Sequence, residues 1–112
     1  MTALDELRAG ELVVVTFPFT SGPQVKNRPA LVLLDTGDAD IAVARMTSKP
    51  PVTPFDIPVN DWPGAGLRSP AVIRLHKLFT LEKTQVHFRL GHLQPADRHA
   101  VAAVLRQTFA NW

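Results

Sequence analysis

Six prolines fall within residues 49–70: Pro50, Pro51, Pro54, Pro58, Pro63 and Pro70. No helix survives that spacing, because each proline removes an amide donor and clashes with the preceding turn. A long central strand is excluded too, since each missing N–H breaks a rung of the ladder. This stretch is therefore loop, with one short edge strand expected near residues 55–59 and a turn through Gly64 and Gly66. Regular structure is confined to its flanks.

On the N-terminal side, residues 11–17 read as a strand with the β-branched centre Val13, Val14, Val15. A loop with Ser21, Gly22 and Pro23 follows. Residues 29–34 are apolar on both faces and predict a central strand. Asp35, Gly37 and Asp38 supply turn chemistry, and residues 40–47 alternate as a third strand. Beyond the prolines, residues 71–75 predict another strand, continued past a bend by residues 77–81. Residues 86–90 fit either a strand or a short helix. Val101, Val104, Leu105 and Phe109 recur at helical spacing opposite Arg98, Arg106 and Gln107, with Pro95 suited to a first turn. A helix over residues 95–109 is expected, with that apolar stripe as core. Short strands with Gly/Pro turns and one terminal helix make the fold class mainly β with α, a small antiparallel barrel with a helix packed against it.

The length of 112 residues suits one domain spanning the chain, and 46% hydrophobic against 20% charged residues predicts a packed core. No apolar run approaches the roughly 20 residues of a membrane span, and Met1 to Gly10 lacks the apolar centre of a signal peptide. The absence of cysteine removes disulfides, thiol catalysis and cysteine-ligated zinc, and fits a cytoplasmic location. His87, His92 and His99 form no recognisable ligand spacing, and neither metal nor cofactor is expected. The net charge is only +2, but residues 62–81 hold no acid while including Arg68, Arg74, His76 and Lys77. That is either an ordinary solvated face or the footprint of an anionic partner.

Lys26-Asn27-Arg28-Pro29 joins a loop to the second strand. Pro29 fixes its own φ and pushes Arg28 into extended backbone, which displays the guanidinium on a stiff hinge. Arg28 either closes a strand end against a carbonyl or an aspartate, or meets a phosphate with its planar fork. Thr47 and Ser48 end the third strand with two hydroxyls, suited to a turn or to a phosphate oxygen. Arg74 and His76 alternate onto one face of their strand.

In order, the chain carries Gly10-Glu11-Leu12-Val13-Val14-Val15, Phe17-Pro18-Phe19, Lys26 to Leu34, Ala44-Arg45-Met46-Thr47-Ser48, Gly66-Leu67-Arg68-Ser69-Pro70-Ala71-Val72, Lys77-Leu78-Phe79-Thr80-Leu81 and Leu90-Gly91-His92-Leu93. This succession resembles the MazF/PemK family of toxins from type II toxin–antitoxin systems. The resemblance implies an SH3-like barrel related to the gyrase poison CcdB, usually homodimeric. It implies a metal-independent endoribonuclease that cuts single-stranded RNA, commonly mRNA, at short sequences by attack of the 2′-hydroxyl, leaving a 2′,3′-cyclic phosphate and a 5′-hydroxyl. It also implies inhibition by an acidic, partly disordered antitoxin.

The family's key arginine and threonine fall on Arg28 and Thr47. His76 stands where some PemK-like members carry a carboxylate proposed as general base. Here it serves either as that base or as extra positive character in the groove. Lys26, Asn27, Ser48, Lys49, Arg74 and Lys77 complete the expected RNA contacts. The loop over residues 19–26 is a candidate lid, and Phe55 and Trp62 either stack on bases or pack as buried anchors. Two non-catalytic alternatives stand beside the nuclease: a CcdB-like barrel acting by protein binding, and a nuclease fold that has lost activity and only binds RNA or antitoxin.

Overall fold

The computed structural model describes residues 6–17 and 27–112. Lys26 and the expected lid over residues 19–26 lie outside the described residues. The elements are β1 (Glu11–Thr16), β2 (Asn27–Leu34), β3 (Asp40–Thr47), β4 (Asp56–Pro58), β5 (Val72–Glu82), a single 3-10 turn (Lys83–Gln85), β6 (Val86–His92) and α1 (Pro95–Thr108). All pairings are antiparallel, in the order β4-β5-β3-β2-β1-β6. The chain is thus mainly β with one C-terminal helix, as expected. The six-stranded ladder is open, however, with β4 and β6 as its edges.

Alternation along the strands builds two apolar layers, one on each face. Leu12, Leu31, Ala44, Met46, Ile57, Ile73 and Leu75 point to the layer covered by Val101, Val104 and Leu105 of α1. Val13, Val15, Ala30, Val32, Ile41 and Val43 point the other way, where the bent sheet brings Phe17, Leu81 and Val86 over them. Phe17 and Phe79 meet edge to face, with centroids 5.1 Å apart. Two close backbone approaches weld the loop after β4 to β6: a Cβ on Gly66 would collide with the Leu90 carbonyl, and one on Gly91 with that of Ala65. Buried Asp97, in the first turn of α1, accepts the Asn60 and Asp61 amides at 3.1 and 2.9 Å. The helix is thereby tied to the proline-rich segment.

Several expectations are corrected. β1 ends at Thr16 rather than residue 17, and β2 begins at Asn27, two residues early, because Thr16 pairs with Asn27 and Val15 with Arg28. The edge strand contracts to Asp56–Pro58. The ambiguous stretch is strand, β6, and extends to His92 through pairing with Glu11. The bend in β5 is real: Arg74 pairs with Arg45 while Leu78 pairs with Ala44, so residues 75–77 have no partner on β3. Phe109 is not core. It caps α1 and is 50% exposed, outside the cluster that takes in Val104 and Leu105.

Candidate functional site

Pro29 opens the site by what it lacks. It has no N–H to donate, and the β2–β3 ladder starts one residue after it, with Ala30 opposite Arg45. Two residues further along each strand lie Arg28 and Thr47, at the same end of the sheet and on the same face as that pair. Thr47 is in turn level with Val72, and Val72 with Pro58. One row back, Arg45 pairs with Arg74, and Arg74 with Asp56. The intervening residues Met46, Ile57 and Ile73 are buried on the opposite face. Three guanidiniums, one hydroxyl and one carboxylate thus share a single face, drawn from β2, β3, β4 and β5.

Arg28 is half-buried, and its Nε is buried without a hydrogen-bond partner among the described residues. Neither the carbonyl nor the aspartate partner that a strand-end role calls for is found among the described residues. A buried donor left unbonded costs free energy unless a ligand supplies the acceptor. Thr47 Oγ1 accepts the Lys49 amide at 3.2 Å. The residue therefore performs the turn role, yet its hydroxyl proton stays free to donate. Ser48 and Lys49 are exposed and line a groove of about 370 Å³ with Pro58, Asn60, Trp62 and Val72.

Arg74 is held quite differently. Its Nε donates to Asp56 Oδ1 at 3.3 Å, while Asp56 Oδ2 accepts the Val52 and Thr53 amides, both at 3.0 Å. These bonds, the Val52 amide first, hold the Asp56 carboxyl below its ordinary value despite burial, with the Arg74 charge adding to them. Arg74 Nη2 faces His76 Nε2 at 3.4 Å, and the His76 ring lies 5.6 Å from that of Phe55. A guanidinium only donates, so in that contact His76 Nε2 can only be the acceptor. His76 is exposed, in the part of β5 that leaves β3, and is four residues or about 13 Å of strand from Val72. His76 is thus brought beside Arg74 and not into the row of Thr47. Lys77 is exposed beside it. Phe55 and Trp62 both pack against the helix-side core, and Trp62 also lines the groove.

Three features escaped the sequence reading. Arg45 alternates in phase with Thr47, a signal present in the sequence but read only as strand periodicity. Asp56 is the carboxylate partner of Arg74, visible only once β4 is in register with β5. The third is a cluster at the same sheet end but on the other face, where Thr16 Oγ1 donates to Asn27 Oδ1 at 2.8 Å and lies 2.5 Å from His87 Nε2. The hydroxyl has one proton; while Asn27 takes it, His87 Nε2 must donate. Asn27 is therefore engaged, although exposed. Among the described residues no three acidic or histidine side chains converge as metal ligands, and no helix is long and apolar enough to cross a membrane.

Comparison with solved structures gives the same fold at low identity. The toxin MazF-mt6 of Mycobacterium tuberculosis superposes with a TM-score of 0.72 at 19% identity, covering 89% of this chain and 96% of that one. An endoribonuclease in complex with its cognate antitoxin, from a mycobacterial species, gives 0.75 at 15% identity over 94% and 96%. A MazE–MazF complex from Deinococcus radiodurans gives 0.72 at 21% identity over 91% and 94%. No curated protein matches the chain. The family model for the PemK-like, MazF-like toxins of type II toxin–antitoxin systems matches residues 8–109. With nearly its whole length covered by that match and its strands and helix in the same arrangement, the chain belongs to the PemK-like, MazF-like toxin family.

Proposed function

We propose that this protein is a metal-independent endoribonuclease acting on single-stranded RNA, the toxin of its pair. The observation that carries the reading is the unbonded, buried Nε of Arg28 at the same sheet end as the Thr47 hydroxyl. RNA brings its own nucleophile. The 2′-hydroxyl gives up its proton and attacks the adjacent phosphorus, the bond to the 5′-oxygen breaks, that oxygen takes a proton from water, and a 2′,3′-cyclic phosphate and a 5′-hydroxyl result. Arg28 suits stabilisation of the charge on the phosphorane, being always ionised and preorganised. Thr47 donates to a phosphate oxygen. His76 is the proposed proton acceptor, because an exposed imidazole is a competent base and its 3.4 Å contact with Arg74 is loose enough to exchange. Ser48, Lys49, Arg74 and Lys77 flank this centre as RNA contacts, with Asn27 a contact at the same sheet end on the other face and Lys26 beyond the described residues.

The expected partners follow from the same reading: an acidic antitoxin, in line with the antitoxin complexes among the similar structures, and a second copy of the chain in a two-fold dimer. A cytoplasmic location fits these partners, and one domain accounts for the chain. The competing reading is a binding-only protein, favoured by the distance along β5 between His76 and Val72.

Incubation of purified protein with a long single-stranded RNA in EDTA separates the two. Cleavage by wild type with 5′-hydroxyl ends, lost in Arg28→Ala, supports the nuclease. No cleavage of any sequence context at high protein concentration sinks it.

A further inference from the structure

Arg45 and Arg74 face each other directly across β3 and β5. Like charges placed opposite one another on a sheet oppose folding. The acid within reach, Asp56, is committed to Arg74 and to two backbone amides. Glu11 is taken by Arg89 at 2.7 Å. Arg45 itself has neither a hydrogen bond nor an ion pair among the described residues, though it is half-buried. Two residues along from this pair, on the same face, Arg28 adds a third cation. Among the described residues the opposed pair thus has one acid for two cations, an arrangement that suits an anion from outside.

We infer that Arg45 and Arg74 form a second phosphate subsite, which holds the phosphodiester next to the one at Arg28 and Thr47 on the same RNA strand. The inference rests on the nuclease reading above and adds a specificity device to it. The two rows are two residues apart along β3, about 6.8 Å. That spacing matches successive phosphates of an extended single strand better than the irregular carboxylates of an acidic peptide. Arg74, anchored by Asp56, presents a fixed fork, whereas Arg45 is free to close on the ligand. Two phosphates gripped in adjacent rows set the register of the strand, and so select which 2′-hydroxyl reacts.

Binding rather than cleavage tests this. A fluorescent single-stranded RNA, made uncleavable by 2′-fluoro groups in place of its 2′-hydroxyls, is titrated over a range of salt against wild type, Arg45→Gln, Arg45→Lys and Arg28→Ala. Arg45→Gln should bind about tenfold more weakly at low salt, and its slope of log affinity against log salt should fall by about 0.7. Its Tm should be unchanged or higher, because the like-charge pair is gone. Arg45→Lys should keep the slope, since the charge remains.

An Arg45→Gln protein with wild-type affinity and slope, while Arg28→Ala is impaired, overturns the subsite and leaves the nuclease reading intact. A lowered Tm in Arg45→Gln that Arg45→Lys restores, with RNA affinity untouched, assigns the residue to structure and equally overturns it. So does a loss confined to polyglutamate binding, which assigns the pair to an acidic peptide. Failure of wild type to bind the oligonucleotide at all overturns both readings together.

Discussion

Arg28 and Arg74 stand on one face of one sheet and are held in opposite ways. Arg74 is flanked by Asp56, whose other oxygen gathers two amides of the preceding turn, so that guanidinium and carboxylate close on each other. Arg28 has a buried nitrogen and no partner among the described residues. The paired arginine, inside the sheet between β4 and β3, is held in place, whereas the one at a strand end keeps its Nε unbonded among the described residues. The difference comes from backbone: β4 lies alongside Arg74 to deliver an acid, whereas Pro29 starts the ladder beyond Arg28 and leaves that position open.

The sharpest way to break this contrast is to remove each member in turn. Arg28→Ala should lower the cleavage rate by about 10²–10³-fold, the usual cost of one preorganised donor to a developing anion. Its Tm should hold or rise, because a buried unbonded donor disappears. A clear fall in Tm in calorimetry would show that Arg28 is structural after all. Asp56→Asn should do the reverse, costing about 1–3 kcal/mol of stability in urea melts. Asparagine offers only one oxygen, so whichever way it turns, its NH2 faces a donor. Unchanged stability would remove the distinction between the two arginines.

Acid titration gives a smaller, graded effect. Asp56 and Asp35 are both held below their ordinary value of 3.8, Asp35 chiefly by Lys83 at 2.9 Å and then by the Gly37 and Leu7 amides. A depressed carboxylate stabilises the fold above its unfolded value, and that contribution is lost as pH falls through the folded one. Melting temperatures should therefore be flat above that range and decline below pH about 4. The decline should be shallower in Asp56→Asn. The smallest effect is expected at the helix end: Phe109→Ser should change stability by no more than about 0.5 kcal/mol, the level of ordinary surface positions. A larger loss in solution would mean that a second chain covers this ring.

How much of this was readable in sequence depends on range. β3 is found at its expected bounds because its alternation is local, and the body of α1 because its apolar period is. Arg28 and Thr47 could be singled out because each is a strand-end residue with its own local signal. Asp56 could not be assigned, since its partner is 18 residues away and the pairing exists only through the β4–β5 register. The Arg45–Arg74 opposition needed the register of β3 on β5, which the bend shifts by several residues. Phe109 fitted the helical stripe but is half exposed and outside the core that Val104 and Leu105 join. Periodicity identifies a face and says nothing of what stands opposite.

Pro29 has one more effect. Strand ends without a neighbour are templates for foreign β-strands, and natural proteins blunt them with proline and charge. Here the open stretch between β2 and β3 begins at a proline and carries a cation. A passing polypeptide seeking main-chain rungs finds no amide at that proline and a guanidinium beside it. Proline and cation together thus make this opening a poor template for strand-to-strand pairing.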